Sequence, residues 1–190
     1  METRTVFFIG KPGCGKGTQA KLLFEKTGWK VLTAGNELRA MAALNTPAGG
    51  KIKSEMNAGL LLPSWIPMYL FLKNLFSLSE DDHVIFDGFN RKVPEAELVI
   101  ESLTWLDRPP TILNIQVSDE EILRRLALRK GVEGRADDNA VDERLKEYYE
   151  HTEPVVKMFL ERGMLIEING EQTPEQISED IRKVLNIPTN

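Results

Sequence analysis

The stretch Gly10-Lys11-Pro12-Gly13-Cys14-Gly15-Lys16-Gly17-Thr18 restricts the folds open to this chain more than any other. Val6-Phe7-Phe8-Ile9, just before it, is an apolar run that reads as a buried strand. Gln19-Ala20-Lys21-Leu22-Leu23-Phe24, just after it, has helical spacing. A strand, a glycine-rich turn and a helix start form the setting in which a phosphate-binding loop is credible. The glycines let the backbone curl until several N–H groups point inward, and the helix N-terminus adds partial positive charge. Lys16 would reach the outer phosphates, and the hydroxyl of Thr18 is a candidate Mg²⁺ ligand. An ordinary glycine turn before a helix requires neither the phased glycines nor the lysine and hydroxyl that follow them. The generic pattern has Ser or Thr directly after the lysine, whereas here Gly17 intervenes.

The rest of the chain alternates strands with helices. Strands are expected at 6–9, 29–32, 84–86, 111–117 and 164–168. Helices are expected at 16–27, 34–44, 51–58, 64–75, 94–106, 118–130, 141–163 (broken at Pro154) and 174–185. Gly28 is a plausible helix cap, Gly49-Gly50 a separator between helices, and Ser64 a candidate N-cap. Such alternation indicates an α/β fold, a parallel five-stranded sheet of the P-loop NTPase type with helices on both faces. At 190 residues and 42% hydrophobic, the chain fits a single unit. Its core would be 1–33, 77–129 and 140–190, with a helical excursion at 34–76 and a short polar one at 130–139.

A formal charge of −5 argues against nucleic acid as the main partner, which usually demands a basic face. A single cysteine, Cys14, leaves no internal disulfide and suits a reducing cytoplasm. It reads as a small loop residue. The most apolar stretch, 60–72, contains Pro63 and Pro67 and is too short to span a bilayer, so no membrane association is expected. Trp29, Trp65 and Trp105 read as packing residues, and His83 and His151 as structural.

Two further signals carry chemistry. Asp87 ends the strand 84–86, and a carboxylate at the carboxyl end of such a strand, beside a phosphate loop, is placed for Mg²⁺. Arginines recur at 39, 91, 125, 129, 135 and 144. Their planar, permanently charged forks grip phosphate oxygens in pairs. Transfer between two polyphosphate-bearing substrates needs repulsion neutralised and atoms held in line, with little covalent chemistry from the protein.

Along nearly its whole length the sequence resembles a nucleoside monophosphate kinase of the adenylate kinase family. The loop 10–19, with its glycine between lysine and threonine, is similar to that family's loop. Thr33-Ala34-Gly35-Asn36-Glu37-Leu38-Arg39 resembles its first acceptor-binding motif, and Met56-Asn57-Ala58-Gly59-Leu60-Leu61-Leu62 the segment that folds over the acceptor base. Asp87-Gly88-Phe89-Asn90-Arg91 is similar to its Asp-Gly-Phe-Pro-Arg motif. Gly134-Arg135-Ala136-Asp137-Asp138, then Arg144 and Tyr148-Tyr149, resemble its lid and the helix after it.

The resemblance implies reversible transfer of the terminal phosphoryl of Mg·ATP to a nucleoside monophosphate, with AMP the leading acceptor. UMP/CMP is the runner-up, and GMP or IMP stand behind. The alternative from another class is a nucleotide-binding regulator that keeps the fold without turnover. Gly13, Cys14, Gly15, Lys16, Gly17 and Thr18 would hold the donor phosphates, Arg125 would stack on the donor base, and Thr18 and Asp87 would serve Mg²⁺, largely through water. Ala34, Met56, Leu62, Gly88 and Glu95 would surround the acceptor, whose phosphate Arg39 and Arg91 would grip. Arg129, Arg135 and Arg144 would bridge the transferring group, and Asp137 and Asp138 would steady a short lid without zinc. A cytoplasmic monomer is implied.

Four positions depart from the family pattern: Ala34, Asn36, Asn90 and Glu95. Where adenylate kinases carry glutamine, Glu95 offers acceptors only if ionised, which would suit guanine better than adenine. Equally, Glu95 reads as a helix-start residue favoured by the helix dipole. Asn90 replaces proline, so a trans backbone is expected there.

Overall fold

The computed structural model describes residues 5–130 and 140–188, apart from the side chains of residues 129 and 130. Five strands form one parallel sheet in the order β2-β3-β1-β4-β5. They are β1 (Thr5–Ile9), β2 (Lys30–Thr33), β3 (Val84–Asp87), β4 (Pro110–Gln116) and β5 (Leu165–Asn169). All of β1 is buried because both faces of the sheet are covered, which is why its sequence is continuously apolar instead of alternating. The pleat nonetheless sorts its side chains. Phe7 and Ile9 join one core layer, with Val84, Phe86, Ile112, Val155 and Phe159. Val6 and Phe8 join the other, with Ala20, Leu23, Leu113, Ile115, Ile177 and Ile181.

Helices α1 (Lys16–Thr27) and α9 (Pro174–Val184) supply the second layer; α4 (Trp65–Leu75), α5 (Val93–Trp105) and α8 (Glu153–Glu161) supply the first. The chain between β2 and β3 is helical, as α2 (Ala34–Ala42), α3 (Pro47–Asn57) and α4. Helices α6 (Asp119–Lys130) and α7 (Val141–Glu147) complete the set, and a wide π-helical turn, Tyr148–Thr152, joins α7 to α8. Strand order reverses at β1, whose neighbours β3 and β4 are reached from opposite directions. Ligands of open parallel sheets bind outside the carboxyl ends of the strands at such a point. The register sets Phe8 beside Asp87 and Asp87 beside Thr33, so the loop after β1, the β3 carboxylate and the start of α2 share one end of the sheet.

Several local expectations need correction. Gly49 and Gly50 do not separate helices; they lie in the first turn of α3. Thr46 caps that helix by accepting the Gly49 N–H, and Pro47 starts it. Glycine is required at 49 because a Cβ there would stand 2.3 Å from the Leu44 carbonyl oxygen. Ser64 makes no cap hydrogen bond, since its hydroxyl is directed to Glu95. The helix expected over 141–163 does not simply break at Pro154, whose missing N–H is absorbed by the π turn before it. Trp65 and Trp105 are 70% and 78% exposed and pack into no core, whereas Trp29 stacks on His83 at 4.6 Å. No helix among the described residues is long and apolar enough to cross a membrane.

Candidate active site

A cleft of about 1730 Å³ opens at the carboxyl end of the sheet. Its floor is the loop between β1 and α1. Gly10 and Gly13 have φ of 137° and 86°, where L side chains are strained. A Cβ on Gly10 would stand 2.8 Å from the Ile115 carbonyl oxygen, and one on Gly13 would stand 2.9 Å from Leu126. Only glycine lets the loop lie this close to β4 and α6. The unpaired N–H groups of the first turn of α1 border the cleft, with the positive end of its dipole. The Lys16 ammonium is folded back on the loop, donating to the carbonyls of Gly10 at 2.7 Å and Lys11 at 2.8 Å. Cys14 is fully buried in the core under the loop, the small-residue role expected of it.

Asp87, nearly buried at the end of β3, lines the cleft opposite the first turn of α1. Its Oδ2 is 3.5 Å from where a Cβ of Gly17 would stand, ordinary contact distance, so the carboxylate lies directly against the first turn of α1. Asp87 and the Thr18 hydroxyl are hard oxygen donors, and so few protein ligands suit an ion such as Mg²⁺ that keeps most of its waters.

The arginines converge from different elements. Arg91 reaches the cleft from the loop after β3, its Nε donating to Gly88 O at 3.0 Å. Arg39, on α2, donates to Asn36 Oδ1 at 2.6 Å. Arg144, on α7, enters from the opposite wall. Arg125 on α6 is held by Glu121, at 2.6 Å, and donates to Gly170 O at 2.8 Å and Cys14 O at 3.3 Å. The guanidiniums beside Glu121, Arg124 first and then Arg125, bring its carboxyl down to about 2, so it stays ionised at all ordinary pH. The far wall is Met56–Leu62. Leu61 N–H donates to Glu147 at 2.9 Å, and the Lys92 ammonium donates to Leu62 O at 3.0 Å, which suspends this segment across the cleft.

Residues 8–164 match the family model for adenylate kinase. An adenylate kinase of Thermus thermophilus is 37% identical over 187 residues, covering 97% of this chain and 98% of that protein. Those of Hyphomonas neptunium and Maricaulis maris are 36% and 33% identical, each covering 95% of this chain and 97% of theirs. The chain belongs to the adenylate kinase family.

Gly13 to Thr18, Ala34, Arg39, Met56, Leu62, Asp87, Gly88, Arg91, Glu95, Arg125 and Arg144 all line the one cleft of this adenylate kinase family member. The Arg129 side chain, Arg135, Asp137 and Asp138 lie outside the described residues. The cleft is also lined by Gln19, by 171–174 and by Gln176 and Ile177, none of which the sequence marked as a site residue. Gly170 follows the carboxyl end of β5, so the strand-end rule that selects Asp87 could have pointed to this segment too.

Glu95 is 2% exposed. One of its carboxylate oxygens accepts the N–H groups of Arg91 at 2.8 Å and Lys92 at 3.3 Å, and Ser64 donates to the carboxylate as well. This geometry favours the helix-start role over a choice of base. Burial pushes the carboxyl up from its ordinary value, against the pull of those hydrogen bonds. A carboxyl raised on folding is most compatible with the fold when protonated. Its contribution therefore declines as pH climbs from the ordinary glutamate value toward the raised one. Glu95→Gln cannot ionise. In urea unfolding at about pH 4 and about pH 7, the stability of the natural protein relative to this variant should fall at the higher pH. A difference constant across that range would rule out the raised carboxyl. Asn90 has a trans peptide with φ of 61°, a left-handed geometry that asparagine tolerates.

Proposed function

We propose that this protein catalyses ATP + AMP ⇌ 2 ADP in the cytoplasm, as a monomer. The observation that carries this reading is the joint lining of one cleft by the phosphate loop, Asp87 and arginines from α2, α6, α7 and the β3 loop. The cleft exceeds the roughly 300–1,000 Å³ usual for a single small ligand, as room for two nucleotides requires. The first-turn amides of α1 and Lys16 hold the donor phosphates, and Arg125 lies against the donor base. Residues 34–76 form the acceptor-binding unit, in which Arg39 joins Arg91 on the acceptor phosphate, with Ala34, Met56, Leu62 and Gly88 around the base. Arg144, with Arg129 and Arg135, spans the transferring group, and 130–139 is the lid that Asp137 and Asp138 steady. Thr18 and Asp87 would hold Mg²⁺, largely through water, and the ion would supply charge neutralisation to the donor phosphates. The acceptor phosphate is already an anion, so no residue need act as nucleophile or base. The protein's part is to align the two phosphates and exclude water.

A coupled assay of Mg·ATP against AMP, CMP, UMP, GMP and IMP in parallel tests this. Turnover should be clearly fastest with AMP and should fall to background when Mg²⁺ is chelated. Faster turnover with another acceptor would replace AMP, and none with any acceptor despite ATP binding would make the protein a regulator.

A further inference from the structure

Lys11 belongs to the phosphate loop, yet its side chain turns away from the cleft and lines a separate cavity of about 480 Å³ beside Ser118 and Asn169. There its ammonium pairs with Asp119, the first residue of α6. The Tyr149 phenol donates to the same carboxylate, its oxygen 2.6 and 2.7 Å from the two carboxylate oxygens. The Lys11 ammonium also stands 5.4 Å from the centre of the Tyr149 ring. Hydrogen bonds from Lys11 first and Tyr149 second draw the Asp119 carboxyl below its usual range, which keeps the cluster charged at neutral pH. Three parts of the chain thus meet at one carboxylate: the phosphate loop, α6, and the π turn after α7. Helices α6 and α7 are the two stems from which residues 131–139 leave and return.

The Lys11 backbone is in use as well. Its carbonyl accepts the Lys16 ammonium at 2.8 Å and the Cys14 N–H at 3.2 Å. Residue 11 is therefore fixed from outside by its side chain, while its carbonyl helps to set where Lys16 rests. We propose that Lys11, Asp119 and Tyr149 form a brace that holds the phosphate loop in register with the stems of the 131–139 segment, so that Lys11 and Tyr149 act as positioning residues for Lys16 and the donor phosphates. This rests on the reading of the cleft as the Mg·ATP site. Neither Lys11 nor Tyr149 lines the cleft, so each acts through the loop.

The brace is partly exposed, so losing it should cost little stability. Misplacing the loop should cost more in catalysis. Lys11→Met is expected to lower kcat/KM for ATP about tenfold, short of the roughly hundredfold that a 1 Å misplacement can cause. KM for AMP should stay within about twofold, because the arginines on the acceptor side are untouched. Tyr149→Phe should lose less in the same direction, and Lys11→Arg should recover most of the activity. In Lys11→Met/Tyr149→Phe the loss should match Lys11→Met alone, since one brace cannot be broken twice. ATP affinity measured by calorimetry on the same proteins separates the brace from the catalytic reading. Weaker ATP binding in Lys11→Met and Tyr149→Phe supports the brace even if turnover is absent in every protein. Unchanged ATP kinetics and affinity, an equal effect on AMP, or additive losses would overturn it, as would failure of the natural protein to bind ATP.

Discussion

Lys16→Ala should reduce turnover by at least about 10²–10³-fold, the cost of removing one preorganised donor from developing anionic charge. Lysine at this position is a mobile point charge. Its ammonium satisfies itself on the Gly10 and Lys11 carbonyls at the rim of the cleft. Phosphate oxygens offer full negative charge in place of two dipoles, so donor binding draws the ammonium off the loop and across the outer phosphates. Alanine leaves those carbonyls to water and should cost about 1–2 kcal/mol of stability. Circular dichroism and the unfolding midpoint should therefore remain near those of the natural protein while the coupled assay falls toward background. Turnover within about threefold of the natural enzyme would remove Lys16 from the mechanism, a smaller loss than any lone electrostatic donor is expected to give.

The loop was legible because its chemistry is local: strand, turn, lysine and helix start occur within fifteen residues and need no distant partner. Asp87 stood out only through that loop, since a carboxylate closing a strand is by itself an ordinary turn residue, and the register places it at the same end of the sheet. Gly28, with φ of 70°, ends α1 as a glycine cap should. What eluded the sequence depends on the third dimension. Gly49 looks like a separator until the Leu44 carbonyl is seen against it. Ser64 looks like a cap, but its hydroxyl serves Glu95, on another helix. Helix α4 is apolar on nearly every side, so the sequence could not show that Trp65 and Tyr69 face solvent while Met68 and Phe71 face the core. Lys11 and Asp119 stand 108 residues apart, and nothing in either neighbourhood announces the other.

Phe86→Ala should be the most damaging core substitution near the site, lowering stability by about 3–5 kcal/mol. Phe86 is fully buried at the centre of β3. Its ring stacks on Phe7 of β1 at 4.7 Å, meets Phe71 of α4 at 5.2 Å, and takes Phe89 edge-on at 5.4 Å and 89°. These contacts tie the sheet to α4 on one side and to the Asp87–Arg91 loop on the other. Removing the ring forfeits both its burial and the aromatic geometry, and close-packed neighbours collapse only partly into the space. Expressed as a midpoint, the loss is roughly 10 °C for a domain of this size. Phe86→Leu, which keeps most of the volume, should cost far less. Because Arg91 lies two residues beyond Phe89 and Asp87 follows Phe86 directly, the alanine variant should bind both AMP and Mg·ATP more weakly well below its own midpoint. Equal stabilities of the alanine and leucine variants would show that the ring's volume is not what holds this loop in place.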